Sequence, residues 1–201
     1  MKKLLPFASY LFHPIFISIY AALIYFAATK NFYVSSEIYL YLIQIVIITI
    51  LIPITLFFLL LSLGKIDSIM VENLGQRKIP LLINASLLLL LIHKSITISN
   101  LPELYFFFLG GAISTLIALI AIYLHTKVSL HMIGITALTS FIFGISLNTQ
   151  TDLTFTLAFF VASIGWVASS RLVLNAHTIK ELSLGSIAGL LPQIILWQFW
   201  L

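Results

Sequence analysis

The chain has no cysteine and very little charge. Without thiols there are no disulfides, no thiolate catalysis and no cysteine-ligated metals. Charged residues make up 8% of the chain and apolar residues 61%, which excludes both a soluble globular domain and a disordered chain. Paired acidic motifs are also missing. Asp67 and Glu72 share one segment, but no second acidic motif could join them in holding a magnesium diphosphate, as prenyl-transferase-like enzymes require. The net charge of +4 is too small to mark a nucleic-acid binder. The alternating segments of about 10 residues typical of membrane barrels do not occur. No linker or internal repeat divides the chain, so residues 1–201 read as one domain.

What the chain does have is long apolar runs. A helix needs roughly 20 residues to cross a hydrocarbon core of about 30 Å. Such runs fall near residues 8–28, 37–64, 81–97, 104–125, 131–147, 153–173 and 182–200. The expected fold is all-α, a polytopic transmembrane helical bundle of seven spans, or six if the first or third run is re-entrant. Met1-Lys2-Lys3 begins like a signal peptide, but the run after it is too long and lacks a small-residue cleavage site, so it reads as the first span. Pro53 predicts a tilt or kink in the second run.

Counting spans from Lys2 and Lys3, the segments 65–80, 126–129 and 175–181 return to one face of the membrane. That face carries most of the Lys and Arg, which predicts that it is cytoplasmic and that the chain sits in a bacterial inner membrane. The same cations are candidate anion ligands.

Two polar clusters lie on that face: Ser170-Arg171-x5-His177-x3-Glu181 and Ser129-Leu130-His131. Ionisable groups at membrane-helix ends are costly, and they mark function. A last helix starting near His177 would put Glu181 on the same face as His177. The carboxylate would then fix the imidazole tautomer and make the other ring nitrogen a better nucleophile. Arg171 offers a planar fork of donors suited to phosphate. His131 is placed to protonate a leaving oxygen, and Arg77 or Lys78 adds positive charge. Phosphoryl transfer needs that combination of groups.

The Ser170–Glu181 pattern resembles the third signature of the type 2 phosphatidic acid phosphatase superfamily, with Glu in place of Asp. Val128-Ser129-Leu130-His131 is similar to the second signature, keeping its Ser and His and losing its Pro and Gly. Arg77-Lys78-Ile79-Pro80 has only the Arg and Pro of the first. Gly185 and Gly189 are similar to the family's small-residue helix, which permits close packing. The resemblance spans roughly residues 65–195. It implies a membrane phosphatase that cleaves lipid phosphate monoesters or polyprenyl diphosphates without a metal or other cofactor. Its partners would be the lipid bilayer and a phosphorylated lipid substrate. By the same resemblance His177 is the nucleophile, Glu181 orients it and His131 is the general acid. Arg171, Ser129 and Arg77 or Lys78 hold the phosphate. The loss of glycine beside Ser129 favours an alternative, an inactive member of the fold that acts as a membrane binding or assembly protein.

Other polar and aromatic residues have structural readings. His13, His93 and His125 are expected to be interfacial or packing residues, and Lys180 a headgroup anchor. The Phe and Tyr residues of the fourth run are expected to face lipid, and Trp197 and Trp200 to form an aromatic belt. Ser114, Thr115, Thr136, Thr139 and Ser140 are expected to bond to their own or neighbouring helices.

Overall fold

The computed structural model describes residues 5–29, 32–67 and 73–201; Lys2, Lys3 and Glu72 lie outside them. The described residues are helical with short connections and no strands. Six helical stretches are long and apolar enough to cross a membrane: Ser35–Ser62, Gly75–Lys94, Pro102–Tyr123, Leu130–Thr149, Thr154–Val173 and Ile179–Trp197. The chain is a polytopic helical membrane protein.

The first apolar run is not one helix. It forms α1 (Phe7–Leu11) and α2 (Pro14–Thr29), broken at Phe12 and His13. Pro14 is the cause: it has no N–H, and it disfavours helical backbone at the preceding residue. In a continuous helix Tyr10 would accept from residue 14 and Ser9 from His13. Here the His13 N–H donates to the Tyr10 carbonyl at 3.3 Å, which frees the Ser9 carbonyl from the helical ladder.

Pro53 has a different effect. Helices α3 (Ser35–Val46) and α4 (Ile52–Ser62) are joined without a break by a π-turn, Ile47–Leu51. Proline cannot donate to the Thr49 carbonyl, and the wider turn absorbs the missing bond. No residue of α4 is buried, so this arm lies at the edge of the bundle.

Next come a 3₁₀ turn (Gly75–Arg77) and then α5 (Lys78–Lys94), α6 (Pro102–Tyr123), α7 (Leu130–Thr149), α8 (Thr154–Val173) and α9 (Ile179–Trp197). Helix α7 is the central post, packed against α2, α6, α8 and α9. Ile135, Leu138 and Phe141 on it are fully buried. This position corrects two expectations. Phe106, Phe107 and Phe108 of α6 are buried in the bundle, and Trp200 is buried against Phe141. Aromatic side chains fill more interior volume than aliphatic ones, and a crowded helical interior takes them up. Hydropathy alone does not distinguish that interior from lipid.

The α7–α9 contact sets the register of the site. A Cβ on Gly185 would stand 2.6 Å from the Ser129 carbonyl oxygen, and one on Gly189 would overlap the Ile133 backbone. Only glycine lets the two backbones approach so closely. Thr136 Oγ1 completes the seam, donating to Met132 O at 2.7 Å and lying 3.2 Å from Ser186 O across the interface. Thr115 and Thr139 likewise bond to their own helices. Ser114 and Ser140 differ, because their buried hydroxyls have no partner among the described residues.

Candidate active site

Helix α8 ends just after Arg171. Asn175 adopts a left-handed backbone, φ +50°. Its N–H donates to Leu172 O at 2.9 Å, and the Ala176 N–H donates to Arg171 O at 3.1 Å. This paired closure stops the helix and reverses the chain. The five residues between Arg171 and His177 are the length of that turn. His125 plays the same part at the end of α6, with φ +54° and an exposed side chain, so its structural reading holds.

Helix α9 begins at Ile179, two residues later than the i,i+4 argument requires. Thr178 is its cap: Thr178 Oγ1 accepts from the Glu181 N–H, and the Glu181 carboxylate accepts from the Thr178 N–H, each at 3.3 Å. In this capping box each residue satisfies a backbone donor that the helix leaves open. The carboxylate oxygen that closes the box, Oε2, also lies 2.8 Å from His177 Nδ1. Glu181 does meet His177, but from inside a helix cap and not along a helical face. The ionised carboxylate accepts the Nδ1 proton, leaving Nε2 of the neutral ring with its lone pair. Burial pushes His177 down to about 4; Lys127 and Arg171 push the same way, and Glu181 opposes them. The ring is therefore neutral at pH 7.

The second cluster is held against the first. The Ser129 N–H donates to Glu181 O at 3.3 Å, and Lys127 Nζ donates to Ala176 O at 2.8 Å. His131, in the first turn of α7, lies close enough to His177 for their charges to interact. Arg171 interacts in the same way with His177 and with Arg77, so guanidinium groups from two elements, α8 and the 3₁₀ turn, converge here. The Arg171 Nε is buried and has no hydrogen-bond partner among the described residues. A buried guanidinium donor in a cationic neighbourhood is suited to pairing with an anion.

The remaining predicted ligands are engaged elsewhere. Ser129 is fully buried, and its hydroxyl caps α7, accepting from the Met132 N–H at 3.5 Å. Lys78 Nζ sits 4.2 Å above the Tyr123 ring. Asp67 is bonded to Gln76 on the surface.

Sequence reasoning missed two neighbours from the N-terminal segment. The rings of His13 and His131 meet edge to face at 5.3 Å, so the packing expected of His13 is made against a residue of the site. Ser9 touches three residues of the two clusters: Ser170 Oγ at 2.6 Å, Arg171 Nη1 at 3.4 Å and, through its carbonyl, His131 Nε2 at 3.0 Å. The one sequence signal for them was Pro14, which breaks the first helix beside the site.

No protein-family model, curated protein or solved structure matches this chain.

Proposed function

We propose that this chain is a membrane phosphatase of a bacterial inner membrane, hydrolysing a lipid phosphate monoester or a polyprenyl diphosphate through a phosphohistidine. One observation carries the reading: a neutral His177, oriented by the Glu181 carboxylate, lies within electrostatic range of Arg171, whose buried Nε has no partner among the described residues. In the first step the lone pair of His177 Nε2 attacks phosphorus. A P–N bond forms, the P–O bond to the lipid breaks, and the leaving oxygen takes a proton from Nδ1 of His131, which enters this step as the imidazolium with its Nε2–H held on Ser9 O. In the second step water attacks the phosphohistidine, its proton goes to His131, and inorganic phosphate departs. Arg171, with the positive field of Arg77, stabilises the charge that develops on the equatorial oxygens.

A second reading, a binding or assembly protein without turnover, draws support from Lys127 and Lys78. Both ammonium groups are bound to other partners and do not open toward the anion.

The deciding experiment measures inorganic phosphate released by purified protein in detergent over a panel of phosphatidate, phosphatidylglycerophosphate and polyprenyl diphosphate. His177→Ala is expected to abolish release while the fold persists. Release unchanged in that variant rules out the nucleophile assignment. No release by the parent chain from any of these lipids leaves the non-catalytic reading.

A further inference from the structure

We propose that Ser9, presented by the broken N-terminal helix, is a positioning residue of the anion site: its hydroxyl sets the Arg171 guanidinium and its carbonyl sets the His131 imidazole. This deepens the phosphatase reading and rests on it for its link to turnover, although the anion-binding part stands by itself.

Pro14 sets the arrangement. Because Pro14 has no N–H, the His13 N–H turns to Tyr10 O, and Ser9 O is left outside the helical ladder. His131 Nε2 lies 3.0 Å from that oxygen. A carbonyl only accepts, so Nε2 carries the proton and Nδ1 is the ring nitrogen left for other chemistry. His177 is arranged the opposite way, with Nδ1 on Glu181 and Nε2 available. The two imidazoles thus present different nitrogens, each fixed by a partner behind it.

The hydroxyl works on the other cluster. Ser9 is buried, 6% exposed, and its Oγ lies 2.6 Å from Ser170 Oγ. Arg171 Nη1 donates to the same oxygen at 3.4 Å. The buried Nε of the same guanidinium has no partner among the described residues. A long arginine side chain keeps considerable rotamer freedom unless one edge of its fork is held. Ser9 holds one edge and leaves another for a ligand. Helix α1 is itself fixed on α8, with Phe7 and Phe12 packed on Trp166 and Phe12 packed on Phe160.

Orthovanadate is the probe, read by its thermal protection of purified protein in detergent. The parent chain is expected to bind it, Ser9→Ala to bind about tenfold more weakly or worse, and Ser9→Thr to restore binding. Ser9→Cys, close to serine in volume but weak in hydrogen bonding, replaces Ser9→Ala if the latter does not fold. Equal affinity in Ser9→Ala, or in Ser9→Cys where that is used, overturns the hydroxyl role and leaves the phosphatase reading intact. A parent chain that binds no vanadate overturns it too. Serine-dependent vanadate binding with no lipid phosphate hydrolysed supports Ser9 and removes the enzyme reading. The carbonyl is tested by the ring ¹⁵N shifts of His131. These are expected to report an Nε2–H ring in the parent and a mixed tautomer in Pro14→Ala, where His13 regains Ser9 O. An Nδ1–H ring in the parent overturns the carbonyl role.

Discussion

Oε2 of Glu181 performs two tasks at one point in space, closing the cap of α9 and holding His177 Nδ1. The two tasks can be separated. Gln at the same position still closes a capping box but carries no charge. Glu181→Gln is therefore expected to keep the melting temperature within a few degrees while phosphate release falls about a hundredfold, a loss typical of a disturbed acid–base group. Thr178→Ala should do the reverse, destabilising by about 1 kcal/mol with release nearly unchanged. Equal loss of release in both variants argues against the division of roles. His177 also makes stability depend on pH. Its value falls from 6.5 to about 4 on folding, so between those values the unfolded chain binds the proton more readily. The contribution is complete above 6.5 and is lost as pH drops toward 4. Thermal melts over that window should show a decline in the parent that is smaller in His177→Gln. The proposed nucleophile, being neutral, should not limit release until pH nears 4.

Among the elements, the α7–α9 seam links packing to chemistry. Gly185 faces the backbone of Ser129, and Ser129 in turn donates to Glu181. A methyl group at Gly185 or Gly189 would push α9 off α7 and separate the two clusters. Gly185→Ala and Gly189→Ala are expected to destabilise by about 1–3 kcal/mol, as overpacked core substitutions do, and to lower phosphate release with it. Gly165 is the control. Nothing lies within 4 Å of a Cβ there, so Gly165→Ala should be neutral or slightly stabilising, as alanine is in an exposed helix. Denaturation in detergent with release assays on the three variants checks the contrast. Equal destabilisation in all three points to a general effect of the added methyl groups and not to the seam.

Over the whole molecule, the polar groups sort to the two ends of the bundle. One end holds Ser9, His131, Arg171 and His177. The other is tied by Tyr25, which contacts Tyr33 and Glu103, and by Asn148, which donates to Glu103. With no native cysteine to interfere, single substitutions can map this arrangement. Gly75→Cys and Ser99→Cys, both at exposed positions on either side of α5, are expected to react with a membrane-impermeant maleimide from opposite faces. Gly75→Cys should be reached from the cytoplasm if the positive charges set orientation. Reaction of both from one face would mean that α5 does not cross.

The sequence by itself fixed the helical class, the spans after the first to within a few residues, and the spacing that brings His177, Glu181 and Arg171 together. Those features are local: an apolar run of sufficient length, a reversing turn of five residues and a cap. It also marked Gly185 and Gly189 as a close-packing surface, through their resemblance to the phosphatase superfamily's small-residue helix. It misplaced Phe106, Phe107, Phe108 and Trp200, since an apolar side chain reads the same whether lipid or protein covers it. Only the tertiary structure brought Ser9 and His13 to the site. Their contacts join residues more than a hundred positions apart, and they depend on a carbonyl freed by a proline, which no side-chain pattern reports.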